Sequence, residues 1–275
     1  VSNPQLSPAI SYSIEHAKSL FSGKRVLALT GAGISTDSGI PDYRGEGRVQ
    51  KHPLTFDEFM GSERNRARYW ARSFVGFRRI EKAQINPGHI ALAQAENSDQ
   101  LMGIITQNVD GLHKKAGSQK VIELHGRLDQ IACVGCGKRI SRAEMDELIL
   151  DLNPLLTQIQ QVEFSPDGDA EIEVADDFKV PNCSCGLHFK PDVVFFGEQV
   201  PKSRVELAES WVAQAEAVLV AGSSLTVNSG LRLVKQAINQ GKPAVVVNLG
   251  PTKADSLVSV KINHSTSVVL KELFS

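Results

Sequence analysis

Six short apolar runs restrict the fold of this chain more than any other feature. They are Val26-Leu-Ala-Leu-Thr30, Gly103-Ile-Ile-Thr106, Val121-Ile-Glu-Leu124, Val193-Val-Phe-Phe196, Ala217-Val-Leu-Val-Ala221 and Ala244-Val-Val-Val-Asn248. Apolar residues at successive positions, with no polar alternation, predict strands buried on both faces. Helical or polar stretches separate the runs, as residues 8 to 21 do with an amphipathic helical pattern. The expectation is an α/β fold with a Rossmann-like, mostly parallel sheet and helices on both faces. Functional loops then follow the carboxyl ends of the strands.

Two segments interrupt this alternation. Residues 45 to 88 carry Arg, Phe, Tyr and Trp at helical spacing and predict a helical module. Residues 128 to 190 contain every cysteine and a polar, acidic stretch from Pro166 to Asp177, read as a surface excursion within a zinc-binding module. The Rossmann-like part is expected over 8–44, 89–127 and 191–275. With 275 residues in all, the chain has room for one large domain with such inserts.

Charge narrows the partners. Thirty Lys and Arg stand against 31 Asp and Glu, which offers no basic field for a nucleic acid. Runs such as Ala217 to Ala221 are too short to span a bilayer. The first twenty residues lack the apolar core of a secretory signal and the Arg-rich character of a transit peptide, so a cytoplasmic protein with no membrane partner is expected.

The cysteines form two close pairs, Cys133-Val-Gly-Cys136 and Cys183-Ser-Cys185, with none left over. Pairs at such spacing point to thiolate metal ligation, and a four-thiolate site leaves no open position for water, so the metal is expected to be one structural zinc. The single residue between Cys183 and Cys185 is tighter than usual, which makes His188 a conceivable substitute ligand.

Four further motifs follow strands. Gly31-Ala-Gly-Ile-Ser-Thr-Asp-Ser-Gly-Ile-Pro-Asp-Tyr-Arg-Gly45 suits close approach to a diphosphate, with a helix expected from about Ile34, although a lone G-x-G is equally an ordinary turn. Gln107-Asn-Val-Asp110 places amide and carboxylate groups at a strand end, where helix capping by Asn108 or Asp110 is the competing reading. His125, in Glu123-Leu-His-Gly126, is a general-base candidate because its ordinary pKa lies near working pH. Gly222-Ser-Ser-Leu225 and Asn248-Leu-Gly250 follow later strands and suit a second nucleoside half.

In combination, GAGIS with PDYR, QNVD, LHG, the cysteine pairs, KPDVVFFGE, GSS and NLG resemble the sirtuin family from about Gly23 to Leu273. Tyr69-Trp-Ala-Arg72, the QNVD form and the long interval between cysteine pairs look like its class II branch, which includes mitochondrial sirtuin four and bacterial relatives. The resemblance implies one catalytic domain over 1–275 that consumes NAD to remove acyl groups from protein lysines. The acyl-lysine carbonyl oxygen attacks the nicotinamide ribose, nicotinamide leaves, and the acyl group migrates to ADP-ribose.

Carried over, His125 deprotonates a ribose hydroxyl, Asn108 holds the ribose and a water, and Gln107 positions the ribose. Asp110 and the backbone near Ile40 bind the carboxamide. Gly31, Ala32, Gly33, Asp42, Tyr43 and Arg44 line the diphosphate and the covering loop, and Gly222, Ser223, Ser224, Asn248, Leu249, Gly250 and Thr266 surround the adenosine. An acylated peptide adds as a strand between Gly197-Glu198 and Val227-Asn228, with its acyl-lysine directed toward Phe195. The competing functions are protein mono-ADP-ribosyl transfer and a non-catalytic sensor of NAD or acyl-lysine. Tyr69 and Arg72 resemble an acid-reading pair but lie late in the helical module, away from the expected tunnel. The stretch Gly45 to Pro53 has no tyrosine to pair with Arg48 around a distal carboxylate, so neutral acyl chains are expected to be preferred.

Overall fold

The computed structural model describes residues 6–42, 53–154, 156 and 178–275. Helix α1 (Pro8–Phe21) is capped by Ser7, whose hydroxyl accepts the Ile10 N–H, and Pro8 sits in the first turn where its missing N–H costs nothing. Its inward stripe is Ile14, Ala17 and Phe21. Strand β1 (Val26–Thr30) follows and is buried throughout. Helices α2 (Phe56–Gly61), α3 (Glu63–Lys82) and α4 (Pro87–Asn97) lead to β2 (Leu101–Thr106), and the single turn α5 (Leu112–Lys115) leads to β3 (Val121–Glu123). Next come β4 (Gly126–Cys133), β5 (Arg139–Ser141), α6 (Arg142–Leu152) and β6 (Phe189–Val193). The chain ends through α7 (Lys202–Gln214), β7 (Ala217–Ala221), α8 (Asn228–Asn239), β8 (Ala244–Val247), β9 (Val260–Ile262) and α9 (Thr266–Leu273).

Among the described residues, six strands pair in parallel in the order β3-β2-β1-β7-β8-β9. From β1 the chain builds outward through β2 and β3, then returns to build the other side from β7. The order therefore reverses between β1 and β7, and their carboxyl ends open a crevice. Alternation along each strand divides the core in two. Val26, Ala28, Leu219 and Val245 pack with α1, α4 and α9, whereas Leu27, Leu29, Val218 and Val246 pack with α7 and α8.

One of the six expected strands is misplaced by the sequence reading. Val193 ends β6, which pairs antiparallel with β4 in a separate three-stranded sheet of order β5-β4-β6, and Val194 to Phe196 lie outside any strand. The strand lies earlier because Phe189, Pro191 and Val193 are buried while Lys190 and Asp192 are half-exposed, the alternation of a sheet with one wet face. Cys133 N–H also donates to the Lys138 carbonyl, closing the turn that joins β4 to β5.

The small sheet shares its core with the helices that precede it. Phe59 from α2, with Trp70 and Phe74 from α3, packs with Ile131, Met145, Ile149 and Phe189, and Cys133 and Cys183 belong to the same cluster. Each fully buried aromatic contributes about 1.5–3 kcal/mol of transfer free energy. No helix among the described residues is long and apolar enough to cross a membrane.

Phe74→Ala is expected to destabilise the protein by about 3–5 kcal/mol, because the site is enclosed and cannot collapse freely. Urea denaturation checks this. A loss within about 0.5 kcal/mol, as at a surface position, would show that Phe74 is not part of a packed core.

Candidate active site

A cavity of about 1550 Å³ opens where the strand order reverses. It exceeds the ~300–1,000 Å³ of ordinary small-molecule pockets and has room for a dinucleotide beside a peptide side chain. Its walls include Gly31, Ala32, Gly33, Ile40 and Asp42 from the first loop, Gln107, Asn108 and Asp110 after β2, and His125 after β3. Phe195, Gly197, Glu198, Val227 and Asn228 line one side, and Gly222, Ser223, Ser224, Asn248, Leu249 and Gly250 the other. Thr266 is buried at the start of α9 and is not among the lining residues. Tyr43, Arg44 and Arg48 lie outside the described residues, as does the stretch from Pro166 to Asp177.

The loops after β1 and β7 interlock through glycine. Gly31 N–H donates to Ala221 carbonyl at 3.2 Å, and Gly33 N–H to Gly222 carbonyl at 2.8 Å. A Cβ on Gly33 would stand 2.9 Å from the Gly222 carbonyl oxygen, and one on Gly222 only 2.2 Å from the Ile34 nitrogen. Gly222 also has φ +65°, a conformation that side-chain-bearing residues adopt at a cost. The helix expected from Ile34 does not form. The loop makes two single turns, Ala32–Ile34 and Thr36–Ser38, closed by bonds such as Ile34 N–H to Gly31 carbonyl and ended by Gly39 at φ +80°. Short turns of this kind carry little of a helix dipole, so backbone proximity is what this loop offers a diphosphate.

His125 is held from both ring nitrogens. Nδ1 lies 3.0 Å from the Gln107 carbonyl and Nε2 lies 2.8 Å from the Ser229 hydroxyl. A carbonyl only accepts, so the proton of the neutral ring is on Nδ1 and the lone pair is on Nε2. Burial lowers the His125 pKa, with the Gln107 carbonyl opposing and the Arg204 charge assisting. Gln107 itself accepts the Ser223 hydroxyl at 2.7 Å through Oε1.

Behind Asn108 runs a buried polar network that the sequence did not announce. The Ser35 hydroxyl donates to Asp110 Oδ2 at 2.7 Å, and Asn108 Nδ2 donates to Ser35 Oγ at 3.1 Å. The other Asp110 oxygen, Oδ1, accepts the Leu112 N–H at 2.9 Å, although the N-cap position of α5 is Gly111, so one side chain serves both the start of that turn and the cavity. His89 Nδ1 accepts the Asn86 N–H, and its Nε2 is 3.5 Å from Ser35 Oγ. The His113 ring lies against His89 at 5.0 Å, with Nε2 2.8 Å from Thr30 Oγ1. Burial pushes the His113 pKa down to about 3, with the neighbouring His89 adding to the shift.

On the wall that carries Phe195, Glu198 turns inward. Its Oε2 accepts the Phe195 N–H at 2.9 Å and the Lys190 ammonium at 3.0 Å, and this fixes the turn in which Gly197 has φ +81°. Phe195 stacks on Phe59 at 5.1 Å and meets the Tyr69 ring edge-on at 5.3 Å. Tyr69 lines the cavity. Its expected distance from the tunnel is therefore corrected: Tyr69 of α3 meets Phe195 directly while Phe59 of α2 packs on both rings, which brings a residue late in the helical segment to the cavity wall.

The four thiols converge. Cys133 Sγ is 3.5 Å from Cys185 Sγ, Cys136 Sγ is 3.7 Å from Cys183 Sγ, and all four lie within 4.8 Å of one another. Zinc–sulfur bonds of about 2.3 Å in a tetrahedron imply sulfur separations of about 3.8 Å, so the set fits zinc. Backbone N–H groups of Cys136 and Gly135 lower the Cys133 thiol to about 6, favouring the thiolate that ligation requires. His188 is not among the four; its Nδ1 is 3.0 Å from Asn182 Oδ1, and the short Cys183–Cys185 spacing is absorbed by the turn at Gly186.

The Sir2 family model matches residues 31–229. An NAD-dependent protein deacetylase of Xanthomonas campestris pv. campestris (strain B100) is 49% identical over 252 residues, covering 90% of this chain and 86% of that protein. NAD-dependent protein deacetylase 1 of Mycobacterium avium (strain 104) is 44% identical, covering 91% of each chain. A solved structure of Sir2 with p53 peptide and NAD+ is similar with a TM-score of 0.75 and 29% identity, over 94% of this chain and 96% of that one. Another, of Sir2 bound to acetylated peptide, gives 0.74 and 28% with the same coverage.

Purified protein is expected to contain one zinc held by the four cysteines, and Cys133→Ala to lose both metal and stability; a metal-free protein of full stability would refute the site. His113 is neutral in the fold, so as pH falls below its ordinary 6.5 the unfolded chain takes up the proton first and stability drops until about 3. Between pH 7 and 5 this amounts to about 2 kcal/mol, and His113→Gln should remove that part of the slope in urea titrations at the two pH values.

Proposed function

This chain belongs to the Sir2 family and is an NAD-dependent protein deacetylase, and we propose that His125 is its general base, with Asn108, Gln107 and Asp110 holding the nicotinamide ribose. The observation that carries the assignment is the fixed tautomer: the Gln107 carbonyl holds the proton on Nδ1 and leaves Nε2 as the acceptor. Bound NAD supplies an electrophilic ribose carbon with nicotinamide as its leaving group. Once nicotinamide has left, Nε2 takes the proton of a ribose hydroxyl, which activates that oxygen as the nucleophile toward the acyl group. Proton transfer to a positioned base of this kind contributes about 10²–10⁴ in rate.

The remaining roles follow the cavity walls. Asp110 and the backbone at Ile40 bind the carboxamide, and the Gly31–Gly33 backbone approaches the diphosphate beside Asp42; for Tyr43 and Arg44, outside the described residues, the proposal rests on the sequence motif alone. Gly222, Ser223, Ser224, Asn248, Leu249 and Gly250 form the adenosine side, with the buried Thr266 outside the cavity wall. An acyl-lysine peptide enters between the Gly197-Glu198 turn and Val227-Asn228, pairing by backbone and so with loose sequence selectivity. The four cysteines hold one structural zinc. Membership of the class II branch is supported by Tyr69-Trp-Ala-Arg72, Gln107-Asn-Val-Asp110 and the long interval between cysteine pairs. Tyr69 stands in the cavity wall but Arg72 is not among the lining residues, so an acidic acyl tail meets no Tyr-Arg pair there among the described residues, and neutral acyl chains are the expected preference, ranked by the Tyr69–Phe195 wall.

Incubation with NAD and acetyl-lysine peptide is expected to yield nicotinamide, acyl-ADP-ribose and free lysine, with no label left on protein; a labelled protein would indicate ADP-ribosyl transfer. His125→Tyr should lower deacylation about 10²–10⁴-fold with an unchanged thermal midpoint. Since burial lowers the pKa of the base, the acid limb of kcat/KM should lie below 6.5. A limb above that value would count against His125. Across a panel of acyl peptides, Tyr69→Phe should change the ranking, and an unchanged ranking would exclude Tyr69 from the acyl wall.

A further inference from the structure

The lone pair of the base does not face an open cavity. Nδ1 is committed to the Gln107 carbonyl, so Nε2 accepts the Ser229 hydroxyl at 2.8 Å, and a neutral imidazole has only that one lone pair. Ser229 is the second residue of α8, is half-buried, and lines the same cavity as His125. Among the described residues its hydroxyl has no other partner, so its own lone pairs remain for a hydroxyl arriving from the cavity. The start of α8 is also pressed against Gln107: a Cβ on Gly230 would lie 2.7 Å from Gln107 Nε2. One residue thus presents the carbonyl to Nδ1 and buttresses the helix turn that presents the hydroxyl to Nε2.

We propose that Ser229 is a catalytic residue that relays a proton from the ribose hydroxyl to Nε2 of His125, an inference that rests on His125 being the general base. The ribose O–H breaks as its proton joins Ser229 Oγ, while the original Ser229 proton passes to Nε2. The serine ends neutral and His125 ends as the imidazolium, with one N–H facing the Gln107 carbonyl and the other facing Ser229 Oγ. Direct transfer from ribose to Nε2 would instead begin by breaking the 2.8 Å bond and stranding the serine hydroxyl. Because a group moved by relay touches only the step after nicotinamide has left, its removal has a distinctive signature.

The test uses the full chain as wild type, Ser229→Ala, Ser229→Thr and, for reference, His125→Ala. Imidazole nitrogen NMR of the free protein reads the Nε2 resonance, exchange of labelled nicotinamide into NAD with acetyl-lysine peptide reads the first step, and deacetylated peptide reads the whole reaction. Ser229→Ala is expected to shift the Nε2 resonance toward that of an unbonded lone pair and to lower deacetylation about a hundredfold while exchange continues, and Ser229→Thr to restore both. An unmoved resonance, an undiminished deacetylation, or exchange and deacetylation falling together in Ser229→Ala overturns the relay. A threonine variant as impaired as alanine overturns it too, since packing at α8 would then be the cause. If wild type makes no acyl-ADP-ribose, or His125→Ala deacetylates at the wild-type rate, the general-base assignment itself fails and the relay falls with it.

Discussion

The interlock between the loop after β1 and the loop after β7 is the constraint on which the cavity depends. These strands are neighbours in the sheet but far apart in the chain, and their loops meet backbone to backbone through Gly31, Gly33 and Gly222. With a Cβ on Gly222 falling 2.2 Å from the Ile34 nitrogen, any side chain there would push the two loops apart. The glycines therefore serve a second purpose besides the diphosphate approach proposed for them. They set the separation between the half of the cavity that holds Gln107, Asn108 and Asp110 and the half that holds Asn248 and Gly250, and a dinucleotide must span both.

The opposite wall is set by the shared aromatic core. Cys133 and Cys183 are buried in the cluster that contains Phe59, Trp70 and Phe74, and Phe195 stacks on Phe59. Glu198 and Lys190 fix the turn beyond Phe195, while Val194 N–H donates to the His125 carbonyl at 2.8 Å. A continuous series of packed groups therefore runs from the thiolate cluster to the backbone of the base. A closed four-thiolate site contributes through this packing alone, since it has no open coordination position at which to take part in the reaction.

Much of this was legible in the sequence because it depends on local patterns. Buried parallel strands show as unbroken apolar runs, and five of them stand in the sheet where expected; paired cysteines show by spacing; the loop motifs show by their position after strands. Val193–Phe196 misled because an unbroken run looks the same in a strand and in a turn packed under a neighbouring module, while the alternation of Phe189 to Val193 was the better signal. Ser35, His89, His113 and Ser229 carried no local signal. Each acquires its role from a partner brought near by the fold, as Ser229 does from His125, 104 positions away. Tyr69 was misjudged for the same reason: distance along a helix says little about which wall that helix faces once an aromatic neighbour is packed across it.

The electrostatics of His125, the proposed base, follow from what holds it. A carboxylate behind Nδ1, as in a serine protease triad, stabilises the imidazolium through a full negative charge. Here the acceptor is the Gln107 carbonyl, a dipole that fixes the tautomer and raises the pKa less than burial lowers it. The nearby Arg204 guanidinium works in the same direction as burial, although Asp192 takes up much of its charge through contacts of 3.1 and 3.2 Å. The neutral ring is thus the resting form, with its lone pair available across the working pH range. In the proposed reaction the imidazolium would be held by two uncharged acceptors, the Gln107 carbonyl and Ser229 Oγ, so a proton taken from the ribose would be readily passed on to a later leaving group. A base that binds its proton weakly and is fixed in one tautomer suits a reaction in which the proton must be taken up and returned within a single turnover.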